Sequence, residues 1–287
     1  MGSPCELHLH AASEEQVASI AEAAVAEVKR LEQKYSRYRD DSVTAAINRS
    51  AGDSRGLEVD GETAGLLDYA AVGFEQSGGL FDITSGILRR AWDFESKRVP
   101  DQDELDALTA CIGWQKLVWE RPRLVLPCAG MELDFGGFVK EYAADRVAEL
   151  CREMGLRHGL VDLGGDLCVV GPHPDGGPWK VGVRHPRRPE CAMATVQIAW
   201  GGIASSGDYE RFMVVDGRRY GHILCPRTGR PVEGLASVSV LADHCLVAGT
   251  ASTIAMLKGR REGPAWLDEL GLPNLRMDQD ERISGSL

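Results

Sequence analysis

The chain reads LDFGGFVKEYAAD over residues 133–145, which predicts the end of a short apolar strand, a pair of glycines and the beginning of a helix. The helical pattern continues to about residue 154, and Gly155 ends it. Such a unit brings backbone N–H groups and a helix N-terminus to one point, which is a common way to hold a phosphate. Glycines are needed equally often where a helix packs tightly on a sheet, so this unit alone leaves both interpretations open.

The segment before this unit is mainly helical, and the segment after it is mainly composed of strands. Ser13 and Gln16 form a capping box ahead of a long amphipathic helix, and a second helix is predicted over residues 62–76. From residue 160 onward, glycine-rich turns separate short apolar runs that predict strands, and helices return at about 247–257 and 264–270. Helices and strands do not strictly alternate, which predicts an α+β fold. The polar residues 276–287 predict a frayed tail.

Composition places the chain among ordinary globular proteins. Of its 287 residues, 44% are hydrophobic and 26% are charged, which argues against disordered, collagen-like and coiled-coil classes. The formal net charge is −11, whereas a protein built to coat a nucleic acid carries positive charge. The sequence therefore predicts no nucleic-acid partner, and an anionic ligand would need local donors or a cation to hold it.

The cysteines and the apolar runs bear on the compartment. The eight cysteines are widely separated, which gives no support to a zinc site and fits a reducing compartment, so a cytoplasmic location is predicted. No stretch approaches about 18 uncharged apolar residues, so no membrane span is predicted. Residues 1–10 lack the pattern of a signal peptide. Because the opening Met-Gly-Ser is compatible with a trimmed start, an original leader stays open.

Four glycine-flanked segments carry polar groups that a scaffold does not require. They cover residues 80–86, 133–140, 204–209 and 221–229. Each also has a structural interpretation: Asp82 with Thr84 can cap a helix, Asp208 can make an Asx turn, and residues 226–229 can form a hairpin turn. Taken singly, none of these segments decides the function.

The order of the motifs is more informative than any one of them. Along the chain they read S-x-Y, F-D-I-T, L-D-x-G-x-x-x-K-x-Y-x-x-D, S-G-D-Y and H-I-x-x-P-x-T-G, at residues 36–38, 81–84, 133–145, 206–209 and 222–229. Over residues 1–259 the chain resembles the ApbE-like FAD:protein FMN transferase family. The resemblance implies a two-lobed α+β fold related to the T-fold, with mixed sheets and packed helices, in a single domain of two interleaved lobes over residues 1–275. It also implies an FAD site between the lobes and transfer of FMN from FAD, through a phosphoester, to a Ser or Thr of an acceptor flavoprotein.

The resemblance also assigns the FAD contacts. They are Met1, Tyr38, Leu80, Phe81, Asp82, Asp134, Gly136, Lys140 and Ile223. These residue types suit the ligand, because an aromatic face stacks on a flavin or adenine ring, carboxylates accept from ribose or ring N–H groups, and lysine neutralises pyrophosphate. Structural interpretations stay open, since Tyr38 can continue the apolar stripe of the first helix and Lys140 can be merely solvated.

Two residues are expected to take part in catalysis, His222 and Asp208. His222 can orient or protonate a phosphate oxygen, or polarise the acceptor hydroxyl, if it lies within hydrogen-bond reach. A lone histidine is more often structural, so both interpretations of His222 stay open.

The implied magnesium site departs from the family pattern. The resemblance implies a Mg²⁺ ion at the pyrophosphate, held by the backbone carbonyl of Gly137, by Thr253 and by an aspartate that is Gly249 in this chain. Because Mg²⁺ prefers anionic oxygen ligands, we expect the ion to enter mainly with FAD. We also expect Gly249→Asp to raise transfer.

Two further departures affect the acidic groups of the site. Cys225 replaces an aspartate of the family pattern, and Glu141 replaces a glycine. Either Asp134, Asp208 and Glu141 rebuild the metal site, or the chain binds FAD without transferring FMN. A third possibility is hydrolysis of FAD to FMN and AMP, with water in place of the acceptor hydroxyl.

Overall fold

The structure is a computed structural model that describes residues 3–287. The helices are α1 (Glu14–Tyr35), α2 (Val43–Arg49), α3 (Gly61–Gln76), α4 (Gln102–Thr109), α5 (Val139–Glu153) and α6 (Cys245–Leu270). The strands are β1 (Cys5–His10), β2 (Leu57–Glu58), β3 (Val118–Glu120), β4 (Arg123–Val125), β5 (His158–Leu163), β6 (Asp166–Gly171), β7 (Trp179–Arg184), β8 (Ala192–Ile198), β9 (Gly202–Gly207), β10 (Phe212–Val215), β11 (Arg218–Gly221), β12 (Leu235–Ala242), β13 (Asn274–Asp278) and β14 (Ile283–Gly285). Short 3₁₀ turns lie at Ile83–Arg90, Trp114–Lys116 and Phe135–Gly137. The predicted α+β class is confirmed.

A seven-stranded sheet organises the larger part of the chain. Its strand order is β1-β5-β6-β9-β12-β13-β14, and each neighbouring pair is antiparallel. The inner strand β12 reads LASVSVLA, and nearly all of its residues are buried. Because successive side chains of a strand point to opposite faces, burial along the whole strand means that both faces of the sheet are covered.

The two faces are covered by different elements. On one face, Val238 and Val240 of β12 pack in the main core with Val147 of α5 and Ile254 of α6. On the other face, the β7–β8 hairpin packs its alternating buried residues, Trp179 among them, against β5 and β6. The sheet is thus held between a helical layer and a two-stranded layer.

A second, smaller core lies apart from this sheet. It is built from Leu88 of the 3₁₀ turn at 83–90, Trp92 just after that turn, Leu105 of α4 and Met213 of β10. The indole N–H of Trp92 donates to the carbonyl of Gly229 at 2.6 Å, which fixes the end of the 222–229 motif on this core.

Residues 276–287 do not form the frayed tail that the sequence predicts. Strand β13 pairs with β12, and β14 pairs with β13. Leu275 and Met277 are buried, and Arg276 between them is half-buried. The prediction was wrong because it weighed the polar composition of the segment, whereas alternate apolar residues are enough to attach an edge strand to a sheet.

The helices that the sequence predicts are confirmed. The Ser13 hydroxyl accepts from the backbone N–H of Gln16 at 3.2 Å at the start of α1, and the helix predicted over residues 62–76 is α3. The two helices predicted after residue 246 lie on either side of Gly259, whose φ of 74° and ψ of −168° break the helical path within α6. Across residues 3–287, no helix has the length and apolar character needed to cross a membrane.

Asp145, the last residue of the 133–145 motif, fixes the start of α6. Its carboxylate accepts from the backbone N–H groups of Cys245 and Leu246 at 2.8 and 2.9 Å, and the helix has no side-chain cap of its own. We expect Asp145→Ala to lower the free energy of unfolding by about 1–2 kcal/mol, because both N–H groups lose their acceptor. Urea denaturation measures this, and Glu149→Ala on the exposed face of α5 is the control. Equal stability of both variants would contradict the capping role.

Candidate active site

Polar contacts join the sequence motifs to one another. The backbone N–H of Asp134 donates to the carbonyl of Ile83 at 2.9 Å, which joins the motif at 133–145 to the motif at 81–84. Arg37 forms an ion pair with Asp134, and Arg227 donates to the carbonyl of Gly78. Segments that are far apart in the sequence therefore form one continuous region.

Tyr38 stands at the surface of this region. Helix α1 ends at Tyr35, so Tyr38 does not continue the apolar stripe of the helix, and 75% of its surface is exposed. The guanidinium of Arg37 lies 5.0 Å from the ring centre and donates to the Tyr38 hydroxyl at 2.8 Å. Arg37 and, to a smaller extent, Arg211 lower the pKa of Tyr38. The ring is therefore available for stacking on a planar ligand.

Asp134 is already engaged by the protein. Besides its ion pair with Arg37, its carboxylate accepts from the backbone N–H of Gly136 at 2.8 Å. That N–H group of the glycine pair is consequently not free for a phosphate in this arrangement. Gly136 and Gly137 are both exposed in the 3₁₀ turn ahead of α5.

The segment Leu80–Asp82 is largely internal. Phe81 is buried, and its ring lies 6.0 Å from that of Phe138, while Leu80 is half-buried. The buried carboxylate of Asp82 accepts from the backbone N–H and hydroxyl of Thr84 at 2.8 and 2.7 Å through one oxygen. Its other oxygen accepts from the backbone N–H of Trp114 at 2.9 Å. Asp82 therefore acts as the cap of the 3₁₀ turn, the structural interpretation that the sequence left open.

Asp82→Ala should accordingly lower the stability of the protein, whatever its effect on FAD binding. We expect the free energy of unfolding to fall by about 2–4 kcal/mol, since three donors lose their acceptor in a buried place. Chemical denaturation measures the loss, and Asp93→Ala, at an exposed aspartate that accepts from one backbone N–H, is the control. Weaker FAD binding at unchanged stability would instead identify Asp82 as a direct ligand.

Lys140 is paired with a carboxylate that the sequence motifs did not single out. Its ammonium lies 2.7 Å from the carboxylate of Asp166, which is buried at the start of β6 and also accepts from the backbone N–H of Ser205 at 3.1 Å. Although burial opposes the charged form, Asp166 raises the pKa of Lys140 above its usual range. Lys140 is thus a fixed positive charge rather than a merely solvated lysine.

Next to Lys140, Glu141 faces helix α6. Only 8% of Glu141 is exposed, and its Oε2 atom has no hydrogen-bond partner. A Cβ atom at Gly249 would stand 2.6 Å from Cγ of Glu141, closer than non-bonded carbon atoms approach. The Glu141 side chain, as it lies here, thus occupies the space that a side chain at position 249 would need. Gly249→Asp alone would force the two apart, so the sequence-based expectation that it raises transfer is not supported.

The remaining implied metal ligand lies on the same helix. The hydroxyl of Thr253 is 2.9 Å from that of Ser206, which in turn is 2.7 Å from the hydroxyl of Ser252. Within the described part of the chain, no three His, Cys, Asp or Glu side chains are grouped so that they could hold a metal ion. Any cation here would therefore combine few carboxylates with hydroxyl, carbonyl or substrate oxygens.

Asp208 is held tightly by neighbouring side chains. Arg187 donates to both carboxylate oxygens, at 2.6 and 2.8 Å, and Gln279 donates to one of them at 2.9 Å. Asp208 is buried, and a Cβ atom at Gly221 would stand 3.1 Å from Cβ of Asp208. Its position is beside the 222–229 motif, but its oxygens are occupied, so it is better placed to support that loop than to react.

His222 presents one ring nitrogen to the surface. Its Nδ1 lies 3.1 Å from the carbonyl of Arg211, and since a carbonyl can only accept, Nδ1 carries the proton. Nε2 therefore keeps its lone pair. Desolvation by the surrounding protein lowers the pKa of His222 below its usual value, so the ring is neutral at pH 7. A neutral imidazole with a free Nε2 can accept a proton.

The rest of the 222–229 motif forms a turn. Ile223 is half-buried and packs against the main core. The backbone N–H of Cys225 donates to the carbonyl of Arg230, and that of Gly229 donates to the carbonyl of Cys225, both at 2.8 Å. The turn holds His222 next to Asp208 and close to the smaller core.

Sequence comparison relates this region to known proteins. The profile of the ApbE family matches residues 1–275. The chain belongs to the ApbE family. It is 33% identical over 313 residues to the FAD:protein FMN transferase of Treponema pallidum, covering 100% of this chain and 84% of that protein. It is 32% identical over 255 residues to the FAD:protein FMN transferase of Escherichia coli, covering 82% of this chain and 72% of that protein.

Solved structures agree with this assignment. The ApbE protein of Thermotoga maritima superposes with a TM-score of 0.89 at 30% identity, covering 98% of this chain and 93% of that chain. The resemblance to the ApbE family drawn from the five motifs is thereby confirmed.

In this ApbE chain, four residues at the site were missed by sequence reasoning. They are Arg37, Asp166, Arg187 and Gln279. Arg37 occupies the unspecified position of the S-x-Y motif, and Asp166 follows the Gly164-Gly165 turn at the start of a buried strand. These two signals could have indicated Arg37 and Asp166 from the sequence. Arg187 and Gln279 lie in segments without any motif. Met1, a predicted FAD contact, is outside the described residues.

Proposed function

We propose that this chain is an FAD:protein FMN transferase, which moves FMN from FAD to a serine or threonine of an acceptor flavoprotein. The observation that carries the proposal is the joining of the family's motifs into one polar region, within a chain that matches the family from residue 1 to residue 275. FAD is the substrate, and the exposed ring of Tyr38 is the proposed stacking surface for it.

In the proposed reaction, the acceptor hydroxyl oxygen forms a bond to the phosphorus of the FMN half of FAD. The bond from that phosphorus to the bridging oxygen of the pyrophosphate breaks, and AMP leaves. The neutral His222 accepts the hydroxyl proton at Nε2, while its Nδ1–H stays on the carbonyl of Arg211. Lys140, fixed by Asp166, places a positive charge for the phosphate oxygens.

The residues present also fit a Mg²⁺ ion. Thr253 and the carbonyl of Gly137 supply the uncharged oxygen donors that the family resemblance implies, and the buried, unpartnered carboxylate oxygen of Glu141 is of the type that Mg²⁺ prefers. When bound, the ion would neutralise negative charge on the phosphate oxygens. Asp208 would act as a positioning residue for the loop of His222, because its own oxygens are taken by Arg187 and Gln279.

A reducing, cytoplasmic location is part of the proposal. It is supported by the cysteines, all eight of which are free thiols. The existence of an acceptor flavoprotein is inferred from the family, and no residue of this chain identifies which protein it is.

The decisive experiment incubates the purified protein with FAD, Mg²⁺ and an acceptor flavoprotein that carries the target threonine. The expected result is flavin covalently attached to the acceptor, detected by in-gel fluorescence and intact mass, with AMP released in equal amount. An acceptor whose threonine is replaced by alanine is the control. Free FMN with AMP would identify an FAD hydrolase, and bound but unreacted FAD would identify a binding protein; either result contradicts the transferase assignment.

A further inference from the structure

One oxygen of the Glu141 carboxylate, Oε2, lacks a hydrogen-bond partner among the described residues. Glu141 is more than nine-tenths buried, and its Oε2 atom accepts no hydrogen bond. A buried carboxylate oxygen without a donor costs free energy comparable to a lost hydrogen bond or more. Buried charges of this kind are normally compensated by a paired charge or by a metal ion.

The charged groups around Glu141 are a second carboxylate, Asp166, and one ammonium, Lys140. Burial raises the pKa of Glu141, the nearby carboxylate of Asp166 raises it further, and the ammonium of Lys140 opposes the rise. Lys140, however, lies 2.7 Å from the carboxylate of Asp166 and serves that group. Two buried carboxylates thus share one lysine, and a bound cation would supply the second positive charge beside Glu141.

Positions 141 and 249 compete for the same space. A Cβ atom at Gly249 would lie 2.6 Å from Cγ and 2.7 Å from Oε1 of Glu141. Thr253 follows Gly249 by four residues in α6, so the two positions share a face of the helix. The carboxylate of Glu141 therefore occupies, from α5, the volume that a side chain at position 249 of α6 would occupy.

The other two carboxylates that the sequence left open are neutralised by arginines. Asp134 pairs with Arg37, and Asp208 pairs with Arg187 through both oxygens. Of the three candidates, Glu141 alone has a buried oxygen without a partner among the described residues.

We propose that Glu141 is the carboxylate ligand of a divalent cation in this chain, with Thr253 on the facing helix as an uncharged oxygen ligand. This inference rests on the proposed function, which brings phosphate oxygens to the same place. The family resemblance implies an aspartate at position 249 of α6, whereas here the carboxylate comes from position 141 of α5. A carboxylate at either position, 141 or 249, would then serve as the ligand of the cation.

Mn²⁺ binding tests the inference without any measurement of transfer. Mn²⁺ is titrated into the protein saturated with FAD, without acceptor, and bound metal is read from the loss of the free-ion EPR signal, with FAD alone as the blank. We expect Glu141→Gln to raise the Mn²⁺ dissociation constant at least tenfold. Glu149→Gln, the same change on the exposed face of α5, should stay within twofold of the parent protein.

The exchange variant makes the test independent of how well Glu141→Gln folds. Glu141→Gly combined with Gly249→Asp moves the carboxylate from α5 to α6, and we expect its Mn²⁺ affinity to return to within about threefold of the parent. Gly249→Asp alone should bind Mn²⁺ more weakly than the exchange variant, because Glu141 still fills the space. Parent-like binding by Glu141→Gln, or no binding by a folded exchange variant, would overturn the inference.

The same titration separates this inference from the proposed function. A parent protein that transfers FMN but binds Mn²⁺ independently of Glu141 refutes only the ligand assignment. A parent protein that fails to bind FAD refutes the proposed function, and the titration of Mn²⁺ into the FAD-free protein, with the same variants and the same expected order, then decides the role of Glu141.

Discussion

Replacing His222 by asparagine should lower the rate of FMN transfer by about 10²–10⁴-fold while FAD still binds. The asparagine amide can keep the hydrogen bond to the carbonyl of Arg211, but it supplies no base in place of Nε2. Single-turnover transfer to the acceptor measures the rate, and fluorescence titration measures FAD affinity, which should stay within about threefold of the parent. Loss of FAD binding with an unchanged rate at saturating FAD would contradict a role as general base.

The pH dependence gives an independent test of the same role. A general base must be neutral, and a neutral histidine is the form that predominates above its pKa. Because desolvation lowers the pKa of His222 below 6.5, transfer should rise with pH up to that value and be level at pH 7. The His222→Asn variant should lack this rise. The same acidic limb in both proteins would assign it to another group.

Lys140→Met should affect both stability and FAD binding. It leaves the buried Asp166 without its ammonium partner, and we expect the free energy of unfolding to fall by about 2–4 kcal/mol, less than for a fully buried pair because 32% of the lysine side chain is exposed. FAD affinity should fall at least about tenfold, since a charge-assisted contact to phosphate is lost. Denaturant titration and fluorescence titration measure the two effects.

A second substitution separates the two effects of Lys140→Met. Adding Asp166→Asn removes the unpaired charge, so the double variant should recover most of the stability while FAD affinity stays low. Lys180→Met, at an exposed position of β7, is the matched control and should change neither quantity. Recovery of FAD affinity together with stability would show that Lys140 serves the fold alone.

The elements that could be predicted from the sequence are those whose signals are local. The pair Gly136-Gly137, the helical run after it and Gly155 define α5 within one residue of its observed bounds. The cap at Ser13 and the start of α3 likewise depend on residues only a few positions apart. The extent of the domain, over residues 1–275, stays a prediction.

The contacts that define the site could not be predicted because they join distant segments. Glu141 and Gly249 are 108 positions apart, and nothing in either segment alone indicates that one side chain fills the space beside the other. Arg187 and Gln279 meet at Asp208 from segments with no motif. For Asp82, the two interpretations differ in which donors surround the carboxylate, and one of these donors is the backbone N–H of Trp114, 32 positions away.

The strand order has a consequence for the chain as it leaves the ribosome. Strand β12 pairs with β9 on one side and β13 on the other, yet β9 is complete at residue 207 and β12 only at residue 242. During the synthesis of the residues between them, the edge of β9 that later faces β12 displays unpaired N–H and C=O groups beside apolar surface. Exposed edges of this kind are sites of aggregation, and nascent chains that carry them are typical clients of chaperones. A nascent chain stalled before β12 has emerged should therefore bind chaperones more strongly than one stalled after it.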